Sequence, residues 1–264
     1  VTWTSPTPRG LWALCAAAAV SLAPAAFAAD VTVRAADGTS LHAVHQGTGT
    51  TAVIFLHDAK GSQVDWGTFP DQLVADGMQV VRLDLRGHGA STLPAPIDAA
   101  GWAAHAADAL TVVDWVRTKG ATRVVLVGAR HGANVALNAG AAAPDKVQTA
   151  VLISPVFNSE GVNIAAVDTW GDRPLLVATS SNDGSGTKAA AVLEQRAPEV
   201  TWKNVAGGEV GASLLARDAD LETVVTAWVA GTWDLTTDST GQRAVNASVN
   251  ATAVETTGVK VSDK

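Results

Sequence analysis

The stretch Gly128-Ala129-Arg130-His131-Gly132 sets a guanidinium and an imidazole between two glycines four residues apart, directly after the apolar run 124–127. Glycines so placed flank a tight turn from that run into the helix-length segment that follows. The central side chain, Arg130, then stands at a helix N-terminus, where a planar, permanently charged fork suits an anion. A guanidinium is neither an oxygen nor a sulfur nucleophile, so the turn offers binding rather than covalent chemistry. Other groups capable of chemistry end further apolar runs. His57 and Asp58 follow 52–56, Asp183 follows 175–178, and Glu209 lies in Gly207-Gly208-Glu209-Val210-Gly211. Arg130 has two uses: holding an external anion, or an internal ion pair with Asp58, Asp183 or Glu209. The cost of leaving a half-buried guanidinium unpaired favours the internal pair. His131 and Asp58 are candidate bases, and His57 and Glu209 candidate pocket residues. His57 and His88 beside Asp58 lack the spacing of H-E-x-x-H or paired-cysteine sites, so hydrogen-bonding roles are expected, with no metal and no other cofactor. Ser154, Ser180 and Ser181 place hydroxyls at or near the ends of such runs, but none has glycines placed for a tight turn.

These residues need a scaffold, and the hydrophobic pattern supplies one. Segments 31–34 and 41–45 alternate around Asp37-Gly38, a hairpin signature. Runs 52–56, 80–83, 124–127, 150–153 and 175–178 are almost continuously apolar, as in parallel strands covered on both faces, and 200–205 is a weaker last strand. Helix-length segments fall between them at 65–76, 102–119, 131–143, 187–196 and 218–230. Strand alternating with helix predicts a doubly wound α/β sheet with right-handed crossovers. The link from 153 to 174 holds a short excursion but not a lid of several helices.

In this setting the strand, the turn and Gly128 and Gly132 resemble the nucleophile elbow, G-x-S-x-G, of the α/β-hydrolase family. Phe55-Leu56-His57-Asp58 resembles the family's oxyanion-hole strand end, and Asp84-Leu85-Arg86-Gly87-His88-Gly89-Ala90-Ser91 its D-x-R-G-x-G-x-S loop. Asn182-Asp183 falls where the acid of the triad belongs, and Val210 where G-x-x-H-G brings the histidine. The resemblance runs over 31–233 and is nearest to small cap-less esterases and dienelactone-hydrolase-like members. It implies an α/β-hydrolase fold with a mostly parallel, eight-stranded-type sheet, no lid domain, and Ser-His-Asp acyl transfer. Three positions depart from it: Arg130 replaces the nucleophile, Val210 the histidine and Asp58 the oxyanion-loop glycine. The histidines are at 42, 45, 57, 88, 105 and 131, so none follows Asp183 as the family order requires. The expectation is a ligand- or partner-binding pseudoenzyme. The alternative is a hydrolase acting on an ester or related carbonyl through a rearranged site.

Composition narrows the partners. The 264 residues carry a net charge of −7 with no basic cluster, which excludes a nucleic-acid surface. The expected partner is a small molecule, anionic on one reading of Arg130, or a protein. Residues 1–28 combine Arg9, an apolar stretch and Ala26-Phe27-Ala28, the pattern of a secretory leader cut after Ala28. The expectation is therefore an exported protein, periplasmic or extracellular, free of the membrane after cleavage. The single cysteine, Cys15, lies in that leader, so no internal disulfide forms. The expected domain occupies 29–233, and 234–264 reads as a polar, mobile tail.

Overall fold

The computed structural model describes residues 28–91, 93, 96–237 and 243–247. The expected leader lies outside the described residues except for Ala28, as does the chain beyond 247. Strands β1 (Ala29–Arg34), β2 (Ser40–Gln46), β3 (Thr51–Leu56), β4 (Gln79–Leu83), β5 (Arg123–Ala129) and β6 (Thr149–Ile153) join β9 (Leu175–Ser180) and β10 (Val200–Val205) in one sheet. Their order is β1-β2-β4-β3-β5-β6-β9-β10. The β1–β2 and β2–β4 pairings are antiparallel, and every pairing from β4 to β10 is parallel. The expected eight-stranded α/β sheet is thus present.

Alternation along each strand divides the interior into two cores. Val124 and Leu126 face helices α2 (Ala99–Thr118), α3 (His131–Ala142) and α4 (Gly184–Arg196). Val125 and Val127 face α1 (Phe69–Ala75), α5 (Ala212–Arg217) and α6 (Ala219–Ala230). The helix expected over 65–76 is instead a 3-10 turn, Gln63–Trp66, followed by α1, because Gly67 between them takes φ 56°. Helix α5 carries no periodic signal: six residues between Gly211, at φ 62°, and Asp218, which caps α6, are too few.

Two further differences matter. The link after β6 forms a small hairpin, β7 (Asn158–Ser159) with β8 (Val162–Asn163), turned by Glu160 and Gly161 at φ 53° and 88°. Asn134 of α3 anchors it by donating to the carbonyls of Val156 and Val162. The boundary expected at 233 falls inside β11 (Trp233–Thr237), which pairs with β12 (Arg243–Ala247). Trp233 stacks on Trp228 at 4.3 Å, and Leu235 and Val245 pack on the second core, so the globular body continues past the polar composition change. No helix among the described residues is long and apolar enough to cross a membrane.

Candidate functional site

Strand β5 turns into α3 at Arg130, whose backbone sits at φ 50°, ψ −106°. This left-handed conformation is costly for a residue with a Cβ and persists only where its surroundings enforce it. Here the enforcement is steric. A methyl group on Gly128 would run into the Gly132 carbonyl, and one on Gly132 into the carbonyl of Leu56 on the neighbouring strand. The Arg130 amide donates to Ile153 O at 2.9 Å, which closes the turn onto β6. The Gly211 amide donates to Ser154 Oγ at 3.0 Å and brings the 210–211 loop against the Arg130 methylenes. The positions read from sequence as nucleophile and histidine therefore border one cleft.

Asp58 decides the character of that cleft. Its Oδ1 accepts from the Ala59 amide at 2.8 Å and from the His131 amide at 3.2 Å. These two N–H groups, one from the β3 loop and one from the residue after the elbow, stand where the oxyanion hole of the resembled family is built. The other carboxylate oxygen, Oδ2, lies 3.4 Å from Arg130 Nε. Both side chains are about one-third exposed, at 32% and 35%. The Arg130 ion pair expected with Asp58, Asp183 or Glu209 is thus made with Asp58. Asp183 is buried and caps α4, accepting from the Gly186 amide at 2.9 Å and Ser185 Oγ at 3.0 Å through Oδ1. Its Oδ2 is buried with no hydrogen-bond partner among the described residues. Glu209 pairs with Arg217 at 3.4 Å, and Val210 lines the cleft. The cleft holds about 370 Å³ between Asp58, Asp65, Ala129, Arg130, Val210 and Ala212.

Behind the elbow lies a cluster that the sequence does not announce. His57, His105 and His131 are fully buried, with Trp102 edge-on to both His105 and His131 at 5.2 and 5.0 Å. Their protons are fixed by what each nitrogen faces. His105 Nε2 faces Arg86 O at 3.2 Å, an acceptor only, so it donates. His105 Nδ1 then accepts from His131 Nε2–H at 2.8 Å, and His131 Nδ1 accepts from Ser159 Oγ–H at 3.0 Å. Burial holds both imidazoles neutral, lowering His105 to about 3 and His131 to about 4. His57 Nε2 accepts from the Leu85 amide and its Nδ1–H donates to Asp58 O, and burial lowers its pKa too. Among the described residues, no group of three or more His, Cys, Asp or Glu side chains is arranged to hold a metal ion.

Ser159 carries no signal in the sequence, because a two-residue strand has no pattern to mark it. Ser154, Ser180 and Ser181 are all engaged in the loops. Ser154 Oγ accepts from Gly211, Ser180 Oγ donates to Glu209 O, and Ser181 Oγ donates to Gly207 O. The loop holding His88 is fixed by Arg86, whose guanidinium grips buried Asp108 through two bonds of 2.6 Å and Asp37 through a third.

A strand order with a left-handed residue between two obligatory glycines is the geometry of an α/β-hydrolase elbow. The family model of serine aminopeptidases, S33, matches residues 49–257. The chain belongs to that family. Solved structures with this fold include an esterase of Pyrococcus furiosus, at TM-score 0.64 and 16% identity, covering 78% of this chain and 91% of that one. An epoxide hydrolase from an endophytic Streptomyces gives TM-score 0.61 and 16% identity, covering 77% and 96%. In sequence, an epoxide hydrolase of Caballeronia sordidicola is 30% identical over 133 residues, 48% of this chain and 37% of its own length. The S33 chain thus spans little more than a third of that curated relative.

Proposed function

We propose that this α/β-hydrolase-fold protein does not perform serine-based acyl transfer at its elbow and instead binds a ligand in the cleft. The ligand is an anionic small molecule or an acidic group of a protein. The observation that carries this reading is the Asp58 carboxylate, which sits on both oxyanion-hole amides and pairs with the guanidinium that has replaced the nucleophile. A negative charge fixed there opposes any oxyanion that would develop during acyl transfer. The test is exposure to a fluorophosphonate probe together with a panel of short-chain esters. No labelled serine, and no turnover above a heat-inactivated control, is the expected result. A specifically labelled serine would overturn the reading.

One observation favours a second reading, the Ser159–His131–His105 string. In that case Ser159 Oγ attacks an ester carbonyl while its proton passes to His131 Nδ1, which returns it to the departing alkoxide. A base lowered to about 4 is poorly matched to this task at neutral pH, so the binding reading is preferred. The same probe separates the two. Label on Ser159, located by peptide mass spectrometry and lost in Ser159→Ala, would establish the second reading.

A further inference from the structure

We propose that the cleft is a receptor for a small monocarboxylate, with Asp58 as a built-in competitor for the same seat. This rests on the reading of the cleft as a binding site and names its ligand class. Three donors from separate parts of the chain meet there: the Ala59 amide, the His131 amide and the Arg130 guanidinium. They already hold one carboxylate, with one oxygen on both amides and the other facing Nε. The geometry is therefore matched to a planar, two-oxygen anion. An incoming carboxylate can repeat each contact once the Asp58 side chain, one-third exposed, rotates toward solvent.

Charge sets the valence of that ligand. Asp58 and Asp65 lie on the cleft wall against the single guanidinium of Arg130, and Asp65 is held in place by the Ser62 amide at 3.1 Å. Glu209 is already matched by Arg217. Either anion must turn Asp58 out of the seat; a phosphate dianion then sets two negative charges against one guanidinium and the Asp65 carboxylate, whereas a monocarboxylate sets one. Ala129, Val210 and Ala212 offer an apolar wall to a short hydrocarbon tail, within a volume of about 370 Å³. Asp58 competes intramolecularly, so the free protein binds weakly, and anything that withdraws Asp58 tightens binding.

The experiment is an amide-resolved NMR titration of the full chain with butyrate, and with inorganic phosphate for comparison. Butyrate is expected to shift the Ala59 and His131 amides, with an affinity at least ten-fold higher in Asp58→Ala than in the unaltered protein. Asp58→Asn, which keeps the side-chain shape and removes its charge, should also bind more tightly than the unaltered chain. Adding Arg130→Gln to Asp58→Ala should reverse the gain, and phosphate should bind more weakly than butyrate throughout. The proposal is overturned if folded Asp58→Ala and Asp58→Asn proteins bind butyrate no better than the unaltered chain. It is also overturned if the gain survives Arg130→Gln, or if phosphate is preferred. Fluorophosphonate labelling of the same samples keeps the two ideas apart. Label with tightened butyrate binding removes only the claim that acyl transfer is absent, whereas no label and no tightening removes only the monocarboxylate site.

Discussion

Asp58 already places a carboxylate oxygen on the two amides that an oxyanion would need, and on the proposed reading this bears on any attempt to engineer acyl transfer at the elbow. Arg130→Ser with Val210→His supplies a nucleophile and a histidine, yet leaves the Asp58 carboxylate on the two amides. That double variant is expected to show no p-nitrophenyl acetate hydrolysis above background. Adding Asp58→Gly should give measurable turnover, since one oxyanion-hole donor alone is worth about 100-fold or more in rate. Activity in the double variant would mean that Asp58 does not block the hole. Asp183 has a buried Oδ2 with no hydrogen-bond partner among the described residues, and on the proposed reading it is a triad acid without its histidine. The departures from the Ser-His-Asp pattern were legible in the sequence, because glycine spacing and histidine order depend on residue type alone. The choice of Asp58 over Asp183 and Glu209 as partner was not. It depends on Asp183 turning back to cap α4 and Glu209 turning out to Arg217, side-chain directions that no spacing encodes.

At the scale of elements, the elbow is a crossing of β5, α3 and β3 that only glycines permit. Gly132→Ala would press a methyl group into the Leu56 carbonyl, a backbone atom that cannot move aside cheaply. The expected loss is about 3 kcal/mol, read as a lower urea midpoint at unchanged m-value. A variant as stable as the parent would show that the crossing is looser than described. The sheet was readable because its strands are long apolar runs. The β7–β8 hairpin was not, since two-residue strands lack periodicity and owe their place to Asn134 reaching across from α3. The β11–β12 hairpin was hidden by composition. Its threonine-rich sequence reads as a tail, yet Trp233, Leu235 and Val245 supply enough apolar surface to hold it on the second core.

For the whole molecule, the buried histidines make stability depend on pH. His105 and His131 are lowered from 6.5 to about 3 and about 4, chiefly by burial. The unfolded chain therefore takes up protons on these groups at a higher pH than the folded one. Their contribution is intact above 6.5 and is lost as the pH falls from 6.5 toward 4 for His131 and toward 3 for His105, each group tilting the slope by up to about 1.4 kcal/mol per pH unit. The melting temperature is expected to drop between pH 6.5 and pH 4.5, with a shallower drop in His105→Gln. A melting temperature that stays flat through this window would contradict the neutral cluster.

The Arg130–Asp58 pair also makes the two positions interdependent. Replacing Arg130 alone strands a carboxylate on the two amides, and replacing Asp58 alone strands a guanidinium in the cleft. On the proposed reading neither single replacement yields acyl transfer, so selection for hydrolysis would find no gain in a first step from this sequence. The pair is then epistatic in the strict sense: the value of each substitution depends on the other being made.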